Sequence, residues 1–284
     1  MKEKSSEKVE SQKIQQEKIR ENIEKISHKL LIISGKGGVG KTTVATNLAF
    51  SLALRGKKVG LLDVDIHGPN IPKMVGVEGE KLSALPDGRI EPIFVSPGVK
   101  VVSVSPLLRN SDTPVIWRGP LKMKLISQFL SDVEWGELDY LIVDSPPGTG
   151  DEPLSAAQLI SSLTGAIIVT TPQEVALLDS RKAVNFARAL NIPIIGIIEN
   201  MSGFTCPKCG ETTYLFKTGG GERSARDLDV PFLGKIPLDP EIVDSGDKGE
   251  PFVVTHKNSS KQNHMDKIVD NIIKEIEKIT KTKK

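Results

Sequence analysis

From Lys29 onward, short apolar runs alternate with longer segments of helical spacing, the pattern of a parallel sheet joined by crossover helices. Strands are expected at Leu30–Ser34, Val59–Asp63, Val101–Val104, Tyr140–Asp144, Ala166–Thr170, Ile194–Ile198 and Phe232–Lys235. Their apolar continuity suits strands covered on both faces. Helices are expected at Thr42–Leu54, Leu121–Ser131, Glu152–Ser162, Glu174–Leu190 and Lys261–Ile279. Pro86-Asp87-Gly88-Arg89 reads as a turn within a hairpin excursion from the main sheet. The fold class is therefore α/β, three layers with a mostly parallel central sheet flanked by helices. Residues 1–28 differ: Lys, Glu, Gln and Ser dominate, with Ile14, Ile19, Ile23 and Ile26 at roughly helical spacing. They read as a charged arm, flexible or a helix of marginal stability, ahead of a single domain over 29–284.

Composition narrows the picture without changing it. The 284 residues are 38% hydrophobic and 26% charged, enough for one large core. A formal charge of +2 gives no reason to expect nucleic acid as an obligatory partner. No apolar run approaches the roughly 18 to 20 residues of a spanning helix, and the N-terminus alternates Lys and Glu where a signal peptide would be apolar. Membrane and export are disfavoured. The two cysteines, Cys206 and Cys209, are too few for a disulfide framework, so the expected compartment is the reducing cytoplasm.

Gly35-Lys36-Gly37-Gly38-Val39-Gly40-Lys41-Thr42 follows an apolar strand and opens a helix, the context in which G-x-x-x-x-G-K-[ST] is a phosphate loop. Glycines let main-chain N–H groups converge on phosphate oxygens. Lys41 is expected to reach the β- and γ-phosphates, the Thr42 hydroxyl to ligate Mg²⁺, and the helix start to favour an anion.

Two strands carry carboxylates to the same end. Leu61-Leu62-Asp63-Val64-Asp65 places two there, one of which can position a water near γ-phosphate; for Asp63, capping of the following turn is as good a reading as a role near the metal. Tyr140-Leu141-Ile142-Val143-Asp144 ends in the form expected of a second metal-side carboxylate, held to Mg²⁺ through water. In Pro146-Pro147-Gly148-Thr149-Gly150-Asp151, Gly148 and Gly150 are expected to leave main-chain N–H groups free to answer a γ-phosphate.

Cys206-Pro207-Lys208-Cys209-Gly210 sets two thiols three positions apart in a loop, a spacing that grips one metal ion or one cluster edge. Two sulfurs leave a tetrahedral ion or a cubane half-ligated, and a twofold dimer would supply the rest. Locally, Zn²⁺ and iron–sulfur remain open. A redox pair fits less well, because such pairs open a helix.

The loop G-K-G-G-V-G-K-T-T, Gly35 to Thr43, resembles that of the MinD/ParA/nitrogenase-iron-protein class. The resemblance implies that Lys36 crosses a dimer interface to the partner's nucleotide and that Asp65 orients or activates the attacking water. Together with Asp63-Val64-Asp65-Ile66-His67-Gly68-Pro69-Asn70, Asp144 to Asp151, Glu199-Asn200-Met201-Ser202 and the cysteine pair, over about residues 29–255, the chain resembles the Mrp/ApbC-type iron–sulfur cluster carrier ATPases. His67 and Asn70 depart from the usual residues of that stretch. The likeness implies a P-loop NTPase fold and ATP hydrolysis with Mg²⁺. It also implies a [4Fe–4S] cluster on the axis of a homodimer, held by Cys206 and Cys209 of both copies, with scaffold or donor proteins supplying it and apo iron–sulfur proteins receiving it. Asn200 would read the adenine edge, with Pro237 and Asp239 of the Ile236–Asp239 loop lining the base pocket, although Asn also favours strand-end turns.

The rival is a MinD-like positioning ATPase acting on membrane or DNA, with structural zinc at the cysteines. It rests on a C-terminal stripe of Ile268, Ile272, Ile276 and Ile279 beside Lys274, Lys278, Lys281, Lys283 and Lys284, which could lie on an anionic bilayer or cover the protein's own core.

Overall fold

The computed structural model describes residues 2–66, 68–104, 119–160, 162–257 and 262–282. His67, Ser161, Lys261, Lys283 and Lys284 lie outside them. The central sheet runs in the order β12 (Phe232–Lys235), β9 (Ile194–Glu199), β8 (Gly165–Thr170), β1 (Ile26–Ile33), β7 (Leu138–Asp144), β2 (Val59–Asp63), β6 (Val99–Ser103), β5 (Ile93–Val95). All neighbours are parallel except β5 and β6. Two of the seven expected strands match to the residue, and four others gain or lose a residue or two at their ends. The antiparallel β5, too short to read as a pattern, is the addition. The Pro86–Arg89 turn joins β3 (Ser83–Ala84) to β4 (Ile90–Glu91), a separate antiparallel pair.

The first strand needs the largest correction. It begins at Ile26 rather than Leu30, because Ile26 pairs with Leu138 and His28 with Tyr140 across β1 and β7. Lys29 hid this start: its ammonium is buried, donating to the main-chain oxygens of Ile26 at 3.0 Å and Ile23 at 3.4 Å. Burial lowers its pKa. Before it, α1 (Lys2–Glu24) buries Ile19 and Ile23 against Phe129 and Leu130 of α4 (Gly119–Asp132). The Asn22 amide reinforces that contact by donating to Leu130 O at 3.0 Å and Val133 O at 2.7 Å.

Helices cover both faces. On one, α2 (Lys41–Leu54), α9 (Phe252–Thr255) and α10 (Asn263–Thr282) pack over Leu30, Ile32, Leu61 and Ile142. On the other, α1, α4, α5 (Asp151–Leu159) and α6 (Glu174–Ala189) cover Leu31, Ile33, Leu62 and Val143. Alternate residues of each strand thus serve opposite cores. The stripe of α10 belongs to the first core: Ile268, Ile272 and Ile276 are buried and Ile279 packs beside them. Each such side chain contributes about 1.5–3 kcal/mol of burial. Among the described residues no helix is long and apolar enough to cross a membrane. Four short helices, α3 (Ile71–Met74), α7 (Gly220–Asp227), α8 (Pro240–Lys248) and α9, were not legible as periodic patterns, and the first three lie near the carboxyl ends of the strands.

Candidate nucleotide and cysteine sites

The register of β7 aligns Asp144 with Ile32 of β1 on one side and with Asp63 of β2 on the other. Three strand ends therefore meet, as in other open α/β sheets where ligands sit beyond the carboxyl ends. The loop from Ser34 leads into α2, and its backbone tolerates little but glycine at two points. Gly40 has φ of +78°, and a Cβ there would fall 2.2 Å from the Asn200 amide nitrogen. A Cβ on Gly35 would fall 2.0 Å from the carbonyl oxygen of Asp179.

Lys41 and Thr42 both turn to Asp144. The ammonium donates to one carboxylate oxygen at 2.6 Å and the hydroxyl to the other at 2.7 Å. Lys41 is 6% exposed and Asp144 fully buried. A cavity of about 440 Å³ opens above them, lined by Lys36, Gly37, Gly38, Val39, Gly40, Lys41, Thr42 and Thr43 together with Asp65, Asn200, Pro237 and Asp239. Lys36 has no ion-pair partner among the described residues, and its carbonyl accepts from the Ser34 hydroxyl at 2.9 Å. Gly35 stands behind the loop rather than in the cavity wall.

Asp63 is fully buried and serves the turn after β2. It accepts from Asp65 N at 3.0 Å, the Ser103 hydroxyl at 3.2 Å and Ile71 N at 3.4 Å. Burial, and then the neighbouring Asp144 charge, push its pKa well above the usual carboxylate range. Asp65 is half-buried at the cavity edge, its oxygen accepting from Gly68 N at 3.4 Å. The Pro146–Asp151 segment departs from expectation in one respect: Gly148 N–H is not free but donates to Ser34 O at 2.9 Å, closing the segment onto the phosphate loop.

At the far end of the cavity, the Asn200 amide donates to Val39 O at 2.9 Å and its main-chain N–H to Thr170 O at 2.8 Å. Asp239 caps α8, accepting from Glu241 N at 2.9 Å. A second cavity of about 500 Å³ shares Thr43, Asn200, Pro237 and Asp239 with the first and adds Cys206 and Pro207 to its wall.

The cysteines occupy the turn of a hairpin, β10 (Phe204–Thr205) and β11 (Thr212–Thr213). Cys206 N donates to Glu211 O and Gly210 N to Cys206 O, both at 2.9 Å. Main-chain N–H groups of Cys209 and Lys208 bond to the Cys206 sulfur and, with the Cys209 thiol, lower its pKa. Cys206 is half-buried and Cys209 exposed. Among the described residues no three metal-binding side chains converge, so one chain offers this pair and nothing further beside it.

The model of the NUBPL iron-transfer P-loop NTPases, within the ParA class, matches residues 25–273. The chain belongs to this family. It is 56% identical over 263 residues to the iron-sulfur cluster carrier protein of Methanocaldococcus jannaschii, covering 93% of this chain and 90% of that one. The Saccharolobus solfataricus protein of the same name is 50% identical over 260 residues, with 92% and 88% covered. Among solved structures, a nucleotide-binding protein of Archaeoglobus fulgidus in complex with ADP, in which cobalt was found, aligns with a TM-score of 0.75 at 41% identity, over 84% of this chain and 92% of that one. The septum site-determining protein MinD of Pyrococcus horikoshii, complexed with Mg-ADP, aligns with a TM-score of 0.62 at 25% identity, over 86% and 95%.

In this member of the family Lys36 to Thr43, Asp65, Asn200, Pro237 and Asp239 line one cavity, and Gly35 lies outside its wall. Sequence reasoning passed over Ser34, which ties Lys36 and Gly148 together, and Ser103, which holds Asp63. Neither carries a motif; only the sheet order brings them in.

Proposed function

We propose that the chain is an ATP-dependent iron–sulfur cluster carrier that works as a homodimer. Cys206 and Cys209 of two copies hold a bridging [4Fe–4S] cluster, received from scaffold or donor proteins and passed to apo iron–sulfur proteins, with slow ATP hydrolysis setting the dwell time of each state. The observation that carries this reading is the exposed hairpin with its half-complete donor set, in a chain 56% identical to an iron-sulfur cluster carrier protein. Two thiolates suit one edge of a cubane, and a twofold axis doubles them.

Within this reading each residue takes the role that the family resemblance implies. Main-chain N–H groups of Gly35 to Thr43 cradle phosphate, and Lys41 leaves Asp144 for the β- and γ-phosphates. The Thr42 hydroxyl and the Asp144 carboxylate, 2.7 Å apart, are hard oxygen donors that fit Mg²⁺, directly or through water. The ion would offset phosphate charge there. Lys36 of each copy reaches the partner's nucleotide as a transition-state cation. Asp65 orients the attacking water by accepting its proton in a hydrogen bond. Asn200 meets the adenine edge between Pro237 and Asp239. A reducing cytoplasm suits two free thiols.

Nothing in this reading needs membrane or DNA, and the burial of Ile268, Ile272 and Ile276 accounts for the stripe that motivated the positioning alternative. The test is anaerobic reconstitution of the full chain and its Cys206→Ala and Cys209→Ala variants, with iron, sulfide and zinc analysis beside an ATP titration. Loss of iron and sulfide with unchanged ATP affinity supports the carrier. Full iron retention in either variant, or zinc as the metal bound, rejects it.

A further inference from the structure

Glu199, the last residue of β9, is fully buried and touches neither cavity. One of its carboxylate oxygens accepts from the Ser202 hydroxyl at 2.5 Å and from Gly219 N at 2.9 Å; the other accepts from Gly221 N at 2.5 Å. Ser202 lies just past the end of β9 and Gly219 caps the start of α7, so the two bracket the cysteine hairpin. Ser202 and Thr218 hydroxyls meet there at 3.0 Å. A single carboxylate therefore pins both ends of the excursion that presents Cys206 and Cys209. The return is built for it: a Cβ on Gly221 would lie 2.9 Å from the Glu199 Cβ.

The same residue is tied to the loops that line the cavity. Its carbonyl accepts from Ile236 N at 2.9 Å, the first residue of the base loop, and its neighbour Asn200 holds the phosphate loop at Val39 O. The base loop is in turn bonded to the hairpin, Ser202 N donating to Ile236 O at 2.9 Å and Leu238 N to Gly203 O at 2.8 Å. We infer that Glu199 is a positioning residue: its buried carboxylate closes the cysteine excursion onto the base loop, so that the spacing of the two thiols responds to nucleotide at Asn200. This rests on the cysteine pair being the metal-holding site, and it adds a residue and a route to that reading. A carboxylate that only capped α7 would stabilise the fold and leave the thiols indifferent to ATP.

Glu199→Gln separates the two. Whichever way the amide turns, its NH₂ opposes a main-chain N–H at Gly219 or Gly221, so one end of the excursion is released. Loss of a hydrogen bond to a buried carboxylate raises the population of the opened loop by about tenfold. The readouts are the rate at which an aromatic disulfide modifies Cys206 and Cys209, with and without ATP, and the affinity of the full chain for Co²⁺ alone, read by its sulfur-to-cobalt absorption. In the variant, modification is expected to be about tenfold faster and to lose its response to ATP, with weaker Co²⁺ binding and unchanged ATP affinity. Ser202→Ala, which leaves no charge unpaired, should move thiol reactivity the same way by less, and it decides the matter if Glu199→Gln fails to fold. Wild-type thiol rates, ATP response and Co²⁺ affinity in the folded variants overturn the inference, including the case where only the melting temperature falls. If the thiols respond as expected but no iron–sulfur cluster is ever held, the positioning role stands and the carrier reading fails.

Discussion

Replacing Asp144 by Asn tests the resting state of the phosphate site. Asp144 accepts from both Lys41, at 2.6 Å, and Thr42, at 2.7 Å, with no exposure of its own. These are the two groups that nucleotide and Mg²⁺ would claim. Without Mg²⁺, drawing Lys41 onto phosphate sacrifices a hydrogen bond between charged groups, worth about 1.5–3 kcal/mol, and strands a buried carboxylate beside Asp63. At 1.4 kcal/mol per decade that is a penalty of about tenfold to a hundredfold on Mg²⁺-free ATP binding. In Asp144→Asn the penalty disappears: ATP binding in EDTA should tighten by about that factor, and added Mg²⁺ should contribute little. The unliganded variant should also lose stability, up to about 3–5 kcal/mol for a buried cation left unpaired, partly offset by relief of Asp63. Equilibrium titration of ATP in EDTA and in Mg²⁺, beside thermal melts, measures both. If the variant binds ATP more weakly than wild type by the same factor in both media, Asp144 is not the counter-ion that Lys41 leaves.

Lys36→Ala should keep ATP affinity while losing the rise of hydrolysis rate with protein concentration; wild-type turnover in the variant would reject a role across the interface. In a Cys209→Ala background, the rate of Cys206 modification should titrate below that of a free thiol, because main-chain N–H groups favour its thiolate. That lowered pKa means the fold gains from the thiolate above the unfolded pKa and loses the gain as pH falls through the folded one; an inflection at or above the free-thiol value contradicts the donor geometry. Ile272→Ala, at a site with no exposure, should cost about 2–5 kcal/mol in denaturant unfolding, whereas a cost near zero would mean that α10 is not part of the core.

What the sequence disclosed follows from how local each signal is. The phosphate loop was legible because strand, glycines and Lys-Thr pair lie within a few residues of one another. Val59–Asp63 was legible as an apolar run between Lys58 and Asp63, and Phe232–Lys235 as a short run set between Pro231 and Pro237. Ile26 was hidden because Ser27, His28 and Lys29 interrupt the run, and the Lys29 ammonium is satisfied by carbonyls that only the folded chain brings to it. The helix α7 opens on Gly220 and Gly221, poor helix formers, and is held there by Glu199, distant in sequence, which accepts from the N–H groups of its cap Gly219 and of Gly221. By contrast α8 carries a readable signature, Asp239 as cap, Pro240 at its first position and Gly249 at its end, which apolar periodicity alone overlooks. The approach of Asp63 to Asp144 depends on β2 pairing with β7, and no spacing along the chain reports it.

The proposed function requires two copies of this chain to share one inorganic centre through Cys206 and Cys209. Its most direct measurement is the native mass of the anaerobically reconstituted protein with ATP, taken together with iron content. Two chains carrying about four irons, falling apart when either cysteine is replaced by Ala, is the expected result. A single chain that retains the full cluster would contradict it.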